Sequence, residues 1–190
     1  ITSKTKMVVP VHMLGNPAEM EEINKIAKRN NILVLSDACE ALGALYKGTS
    51  TAYLGDAAVF SLDFGKTITA GEGGMIISKD KNLITKTLNF IDHGHENNPD
   101  FPRGCDTASF FGFNFRMTEL AAAIGISQIK KSKSLIDRRV DLSNILTQRL
   151  QGIDGLIVPK VRENCKHVYY IWPAKIDTEL LNIDRSVIAK

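Results

Sequence analysis

Phe60-Ser61-Leu62-Asp63-Phe64-Gly65-Lys66-Thr67-Ile68-Thr69-Ala70-Gly71-Glu72-Gly73-Gly74 is the stretch whose reading decides the rest of the chain. The apolar run Ala57-Ala58-Val59-Phe60-Ser61 leads into it and predicts a buried strand. Met75-Ile76-Ile77-Ser78 leaves it and predicts a second strand. The polar loop between them is richer in glycine than a turn requires. Glycine lets backbone come close to a ligand or supplies positive φ. Lys66 sits in this loop with no like charge beside it. By position alone it reads either as a surface lysine in a glycine turn or as a reactive amine.

Upstream, the near-continuous apolar run Ile32-Leu33-Val34-Leu35-Ser36 ends at Asp37, followed by Ala38-Cys39-Glu40. Ligands of open α/β sheets bind beyond the carboxyl ends of the strands. An acid past one such end and a lysine past another are placed to face one crevice. Pyridoxal 5'-phosphate (PLP) uses such a pair: its aldehyde forms a Schiff base with a lysine and its pyridinium nitrogen pairs with a carboxylate. Taken alone, Asp37 also reads as an aspartate capping a turn after a strand.

Five motifs stand in order along the chain: Val9-Pro10-Val11-His12, Ser36-Asp37-Ala38-Cys39-Glu40-Ala41-Leu42-Gly43-Ala44, Leu54-Gly55-Asp56, the lysine loop, and Gly112-Phe113-Asn114-Phe115-Arg116-Met117-Thr118-Glu119-Leu120. Together they resemble the DegT/DnrJ/EryC1/StrS family of PLP-dependent aminotransferases, which act mostly on keto-sugars. The resemblance runs over residues 5–175. It implies an α/β fold, the three-layer large domain of the aspartate aminotransferase-like PLP-dependent transferases (fold type I). Residues 1–150 would form the later part of that PLP-binding domain and its connecting helix. Residues 151–190 would begin a small α+β C-terminal domain. The chain opens on Ile1, and a helix expected from Asp184 runs to its last residue. Members of the family are about twice this length, so the chain reads as an internal fragment.

The resemblance also implies roles. Lys66 is the Schiff-base lysine and carries the proton between substrate and cofactor carbons. Asp37 keeps the pyridine nitrogen protonated, and Glu40 stands where the family often carries Gln or His near the cofactor's 3-oxygen. Ser61 matches a phosphate ligand; a strand-end serine is its plainer reading. Asn114 matches a residue that reaches the phosphate of the other subunit, which implies a homodimer with a shared active site. His12 is either structural or substrate-facing, and His93 is placed with the substrate. The expected partners are L-glutamate as donor and a keto or aldehydo sugar, nucleotide-linked or an octulosonate, for surface polysaccharide or related amino-sugar biosynthesis. The octulosonate lead comes from Asp92-His93-Gly94-His95-Glu96-Asn97-Asn98-Pro99 and Pro102-Arg103-Gly104-Cys105-Asp106-Thr107, which are similar to members acting on eight-carbon sugars. Relatives that dehydrate sugars carry His in place of the lysine, so Lys66 argues against that chemistry. Intact Asp37, Ser61, Lys66 and Asn114 argue against a non-catalytic relative.

Elsewhere the pattern is plain. Met7–Val11 predicts a strand. Asn16 as N-cap, Pro17 and Glu19 predict a helix running to Arg29 with Met20, Ile23, Ile26 and Ala27 as its apolar stripe. With strand 32–36 this makes a βαβ unit. Lys47-Gly48-Thr49 predicts a turn, and Asp80 caps a helix to about Asp92. Residues 93–112 form a long irregular stretch, and Met117–Leu150 is mostly helical. Lys130–Lys133 marks a bend or a solvated face. Strands are expected over 155–158 and 167–176. His93 and His95 lack a third placed ligand, so no metal is expected.

The totals exclude several classes. At 190 residues the chain holds one good core. Its 44% hydrophobic and 24% charged residues are ordinary for a globular protein, and a net charge of +3 does not point to nucleic acid or a membrane surface. Its 3 cysteines have no metal or disulfide spacing, which implies a reducing, cytoplasmic setting. No signal peptide and no run long enough to cross a bilayer is present.

Overall fold

The computed structural model describes residues 1–102, 105–108, 110–182 and 184–188. Arg103 and Gly104 of the octulosonate-like stretch, and the end of the helix expected from Asp184, lie outside the described residues.

The site is organised by a four-stranded sheet of Met7–Val8 (β1), Leu33–Asp37 (β2), Ala57–Ser61 (β5) and Gly74–Ser78 (β6), in that spatial order. Leu45–Tyr46 (β3) and Thr49–Ser50 (β4) form a small hairpin on the way. β1, β2 and β5 are mutually parallel, and β6 returns antiparallel to β5 with Ser61 opposite Gly74. The polar ends Asp37 and Ser61 therefore leave the same edge of the sheet. This is the α/β arrangement that the apolar runs predict.

β1 is shorter than expected. After Val8 the ladder breaks at Pro10, which has no N–H to give, and resumes only as the bridge between Val11 and Asp37. β2 sits one residue later than expected, which makes Asp37 its last residue. The helix Met20–Arg29 (α1) ends where the sequence predicts but starts late, and Asn16 is not its cap. The reason is a competing set of partners. Ala18 N–H donates to His12 Nδ1 at 3.0 Å, and Arg162 binds the Pro17 carbonyl and the Glu19 carboxylate. These contacts hold residues 16–19 out of helical register. Once under way, α1 buries Met20 and Ala27 completely or nearly so, while Ile26 stays 45% exposed. Burying Met20 stabilises by about 1.5–3 kcal/mol.

The helix Lys81–Ile91 (α2) is capped as expected: Asp80 accepts from the N–H groups of Asn82 and Leu83. The long helix Glu119–Leu150 (α3) is capped by Thr118 and runs unbroken through Lys130–Lys133, so that cluster is a solvated face and not a bend. Leu156–Ile157 (β7) pairs with Lys175–Ile176 (β9). Cys165–Lys166 (β8) pairs with β3. Residues 167–174 were expected to be extended strand. They are irregular instead, with a bend at Tyr170 and Ile171, because Tyr169 takes positive φ and its N–H donates to His167 Nδ1. Two short helices, Thr178–Leu181 (α4) and Arg185–Ile188 (α5), complete the described elements.

The central core joins Ala38, Ala41 and Ala44 to Ala58, Phe60, Ile136 and Val168. Ala41 N–H bonds to the Ala38 carbonyl and Ala44 N–H to that of Ala41. Two successive three-residue turns thus bring every third residue to one side. Alanine at each of them lets α3 and β5 close over the segment.

Candidate active site

β2 and β5 lie side by side with Asp37 in register with Val59, and the chemistry gathers at their ends. Asp37 Oδ1 accepts from the Cys39 N–H at 3.1 Å, a short turn that keeps the carboxylate at the strand end and leaves Oδ2 to accept from another donor. Ser61 ends β5, and its hydroxyl accepts from Asp63 N–H. Asp63 then organises the lysine turn: its carboxylate takes the Gly65 N–H and its carbonyl the Lys66 N–H.

The rest of the loop is tied to Leu62. Leu62 N–H donates to the Gly73 carbonyl, and the Leu62 carbonyl accepts from Ala70 N–H and the Thr69 hydroxyl. Gly71 and Gly73 take φ of 84° and 143°, which other residues rarely adopt. Leu62, Ile68 and Ala70 are buried as a small apolar floor. Gly125 places α3 against that floor, with Leu62 and Ala70 at ordinary contact distance from where a Cβ would stand. Lys66 is thus held half-buried on the rim. The crevice beneath it, lined by Cys39, Glu40, Ser61 and Thr67 among others, amounts to about 10 Å³. That is room for about one water.

The Cys39 thiol reports how close the charged groups are. It is pushed up to about 11, first by burial, then by the hydrogen bond and charge of Asp37 and the charge of Glu40, with Lys66 acting in the opposite direction. Asp37 also accepts from the backbone N–H of Cys39, and Glu40 and Lys66 line the same crevice as its side chain. Glu40 has a structural duty as well: its carboxylate accepts from Leu14 N–H at 2.7 Å and fixes a residue at φ 58°.

His12 is fully buried, away from any surface a substrate could reach. Its Nδ1 takes the Ala18 N–H, so Nε2 carries the proton and donates to Ser36 Oγ at 2.7 Å; Ser36 in turn donates to the Thr51 carbonyl. Burial lowers His12 to about 4, the charge of Asp37 opposing. The structural reading of His12 is the one this geometry fits.

Asn114 and His93 lie together at the end of α2, and neither lines the crevice beneath Lys66. Phe113 and Phe115 N–H groups bond to the end of α2, and Asn114 bridges Asp92. Arg116, whose role the sequence leaves open, pairs with Asp92 and approaches His93 Nδ1 at 3.2 Å. Asp92 is held below the usual carboxylate range, chiefly by the hydrogen bond from Asn97. The Asn114 side chain is exposed. A cavity of about 650 Å³ is lined by Asp92, His93, His95, Phe101, Asp106 and Arg116, among others, and by none of the strand-end residues. Among the described residues no group of three His, Cys, Asp or Glu side chains is placed to hold a metal, and no helix is long and apolar enough to cross a membrane.

One neighbour of Lys66 has no signal in the sequence. The Lys66 ammonium lies over the ring of Tyr170, 5.0 Å from its centroid, although the two are far apart in the chain.

The chain resembles known proteins along nearly its whole length. Residues 1–189 match the DegT/DnrJ/EryC1/StrS aminotransferase family. The chain is 35% identical over 191 residues to GDP-perosamine synthase of Caulobacter vibrioides, covering 99% of this chain and 50% of that protein. It is 34% identical over 171 residues to GDP-perosamine synthase of Escherichia coli O157:H7, covering 90% and 45%. An aminotransferase from Psychrobacter cryohalolentis superposes with a TM-score of 0.87 at 30% identity, covering 98% of this chain and 50% of that one. The chain spans about half the length of the curated relatives it matches.

Proposed function

Because the chain belongs to the DegT/DnrJ/EryC1/StrS aminotransferase family, we propose that it carries the lysine half of a PLP-dependent sugar aminotransferase site. The observation that carries this reading is the gathering of strand-end side chains: Cys39, Glu40, Ser61 and Lys66 line one crevice, and Asp37 accepts from the Cys39 N–H beside it. The donor set fits PLP. Lys66 would hold the cofactor through its aldehyde, Asp37 Oδ2 would accept from the pyridinium N–H, and the Ser61 hydroxyl would help hold the phosphate. When bound, PLP supplies an electron-poor ring that stabilises a carbanion at the substrate carbon. The chain's own part is to hold Asp37 at the strand end, to keep Lys66 on the rim, and to let its freed amine take and return the substrate's proton. The amino group comes from L-glutamate and goes to a keto or aldehydo sugar, a nucleotide-linked hexose in keeping with relatives named as GDP-perosamine synthases.

Residues 1–150 serve as the later part of the cofactor-binding domain, and 151–190 as the start of the small domain. Asn114 is exposed beside the phenylalanines at 111, 113 and 115, of which Phe111 is 78% exposed. That surface suits a second copy, so Asn114 would complete the partner's site in a homodimer. All three cysteines are unpaired, which suits the cytoplasm.

The test is to add PLP to the purified protein, reduce with borohydride, and map the adduct. A phosphopyridoxyl mass on the Lys66 peptide is expected, with none in Lys66→Ala, whose turnover falls to background without loss of fold. An adduct spread over surface lysines, or undiminished turnover in Lys66→Ala, would remove the reading. Co-expressed Lys66→Ala and Asn114→Ala subunits should recover part of the lost activity if the site is shared.

A further inference from the structure

The contact between Lys66 and Tyr170 joins the reactive loop to a segment over a hundred residues away. It is built rather than incidental. Arg139 on α3 donates from Nη1 to the Tyr170 carbonyl at 2.7 Å and to that of Tyr169 at 3.4 Å. Tyr169 takes φ of 49°, uncommon for a residue with a bulky side chain. Its ring stacks on His167 at 3.9 Å between centroids and 11° between planes. Val168 N–H donates to the Gly15 carbonyl, and the Tyr170 N–H lies 3.0 Å from where a Gly15 Cβ would stand. A backbone held in an unfavourable conformation by this many contacts is a place to look for function. The result of the turn is that the Tyr170 ring arrives over Lys66, its hydroxyl beside Gly65.

We propose that Tyr170 is a positioning residue for Lys66: the face of its ring carries the cationic head of the lysine whenever the amine is free. An ammonium within about 6 Å of a ring centroid is attracted by the negative face of the π system. The flexible four-carbon stem of a lysine would otherwise sample solvent. Tyr170 narrows that range to the rim above β2 and β5, where Asp37 and Ser61 end. The catalytic meaning of this contact rests on Lys66 being the reactive amine, but the contact can be tested without the cofactor.

The experiment is competitive acetylation of the full chain with acetic anhydride across pH, without PLP, reading Lys66 by peptide mass. In Tyr170→Leu the labelling rate of Lys66 near neutral pH should be about two- to fivefold higher, the factor expected for loss of an exposed cation–π contact. Tyr170→Phe keeps the ring and should follow the parent profile. A Tyr170→Leu profile that superimposes on the parent, one that gains only in its alkaline plateau, or a Tyr170→Phe profile that follows Tyr170→Leu would overturn the proposal. Should Tyr170→Leu not fold, the unmodified protein decides: NMR of its lysine side chains should show the Lys66 methylenes shifted upfield by the ring, and their absence from that region would be equally fatal. Protection of Lys66 by added PLP separates the two readings. Protection without a Tyr170 effect sinks this proposal alone; a Tyr170 effect without protection sinks the proposed function alone.

Discussion

Lowering the pH from about 7 to about 5 should destabilise this fold well before its carboxylates titrate. Two histidines are responsible. His12 is fully buried and His167 is 3% exposed. Burial lowers each to about 4 from an ordinary 6.5, opposed at His12 by Asp37 and at His167 by a hydrogen bond to the Gly15 backbone. Their Nδ1 atoms accept from Ala18 and Tyr169 N–H groups, so protonating either ring costs a hydrogen bond as well. In the unfolded chain both rings bind a proton as pH falls through about 6.5, while in the folded chain they do so only near 4. The unfolded state thus gains protons first, and stability is lost across that window. At about pH 5 each histidine costs about 2 kcal/mol. The two share contacts at Gly15, so the pair should cost about 3–4 kcal/mol, against the 5–15 kcal/mol typical of a whole domain. Glu21, Asp92, Asp137 and Asp184 are all held low and lose their contributions only at more acidic pH. Urea unfolding followed by Trp172 fluorescence at several pH values measures the effect. An unchanged midpoint between about pH 7 and 5, or the same loss in a His12→Gln, His167→Gln protein, would refute the reasoning.

Two glycine substitutions should move stability in opposite directions. A Cβ on Gly125 would stand 3.8 Å from Leu62 Cδ1 and 4.0 Å from Ala70 Cβ, ordinary contact distances inside a helix. Gly125→Ala should therefore stabilise by about 0.5–1 kcal/mol, a rise of about 1–4 °C in Tm that calorimetry would detect; a fall would mean the helix cannot lie as close to the lysine loop as described. Gly15 has φ of 91° and room for no Cβ, with Val168 Cγ2 at 2.8 Å. Gly15→Ala should cost about 2–4 kcal/mol, and a denaturant midpoint near that of the parent would contradict it.

Much of the lysine edge was legible because its signals are local. Two apolar runs bracket a glycine-rich loop, and Asp80 meets the rule for a helix cap. The late start of α1 was not legible, because Asn16, Pro17 and Glu19 satisfy capping statistics while Arg162 and His12 outbid the helix from elsewhere in the fold. His12 illustrates the same limit. A histidine after a strand looks like a site residue, and only the placement of Ser36 and Ala18 shows both its nitrogens spent. Tyr170 is the converse case, since nothing near it in the sequence points to Lys66. The pairing of β3 with β8 is equally invisible, as each strand is two residues long and carries no period to read.

The meeting of Gly15, Glu40 and Val168–Tyr170 also sets an order of assembly. Residues 7–78 can pair their strands using near neighbours, whereas the seat of Tyr170 needs a loop of about 150 residues to close on Gly15. Closing such a loop is slow because its entropy is lost before its contacts are gained. During synthesis the sheet would form first, with the lysine on its rim and solvated. The Tyr170 ring beside it would arrive only when the late segment emerges, so the surroundings of Lys66 are completed after the sheet that carries it.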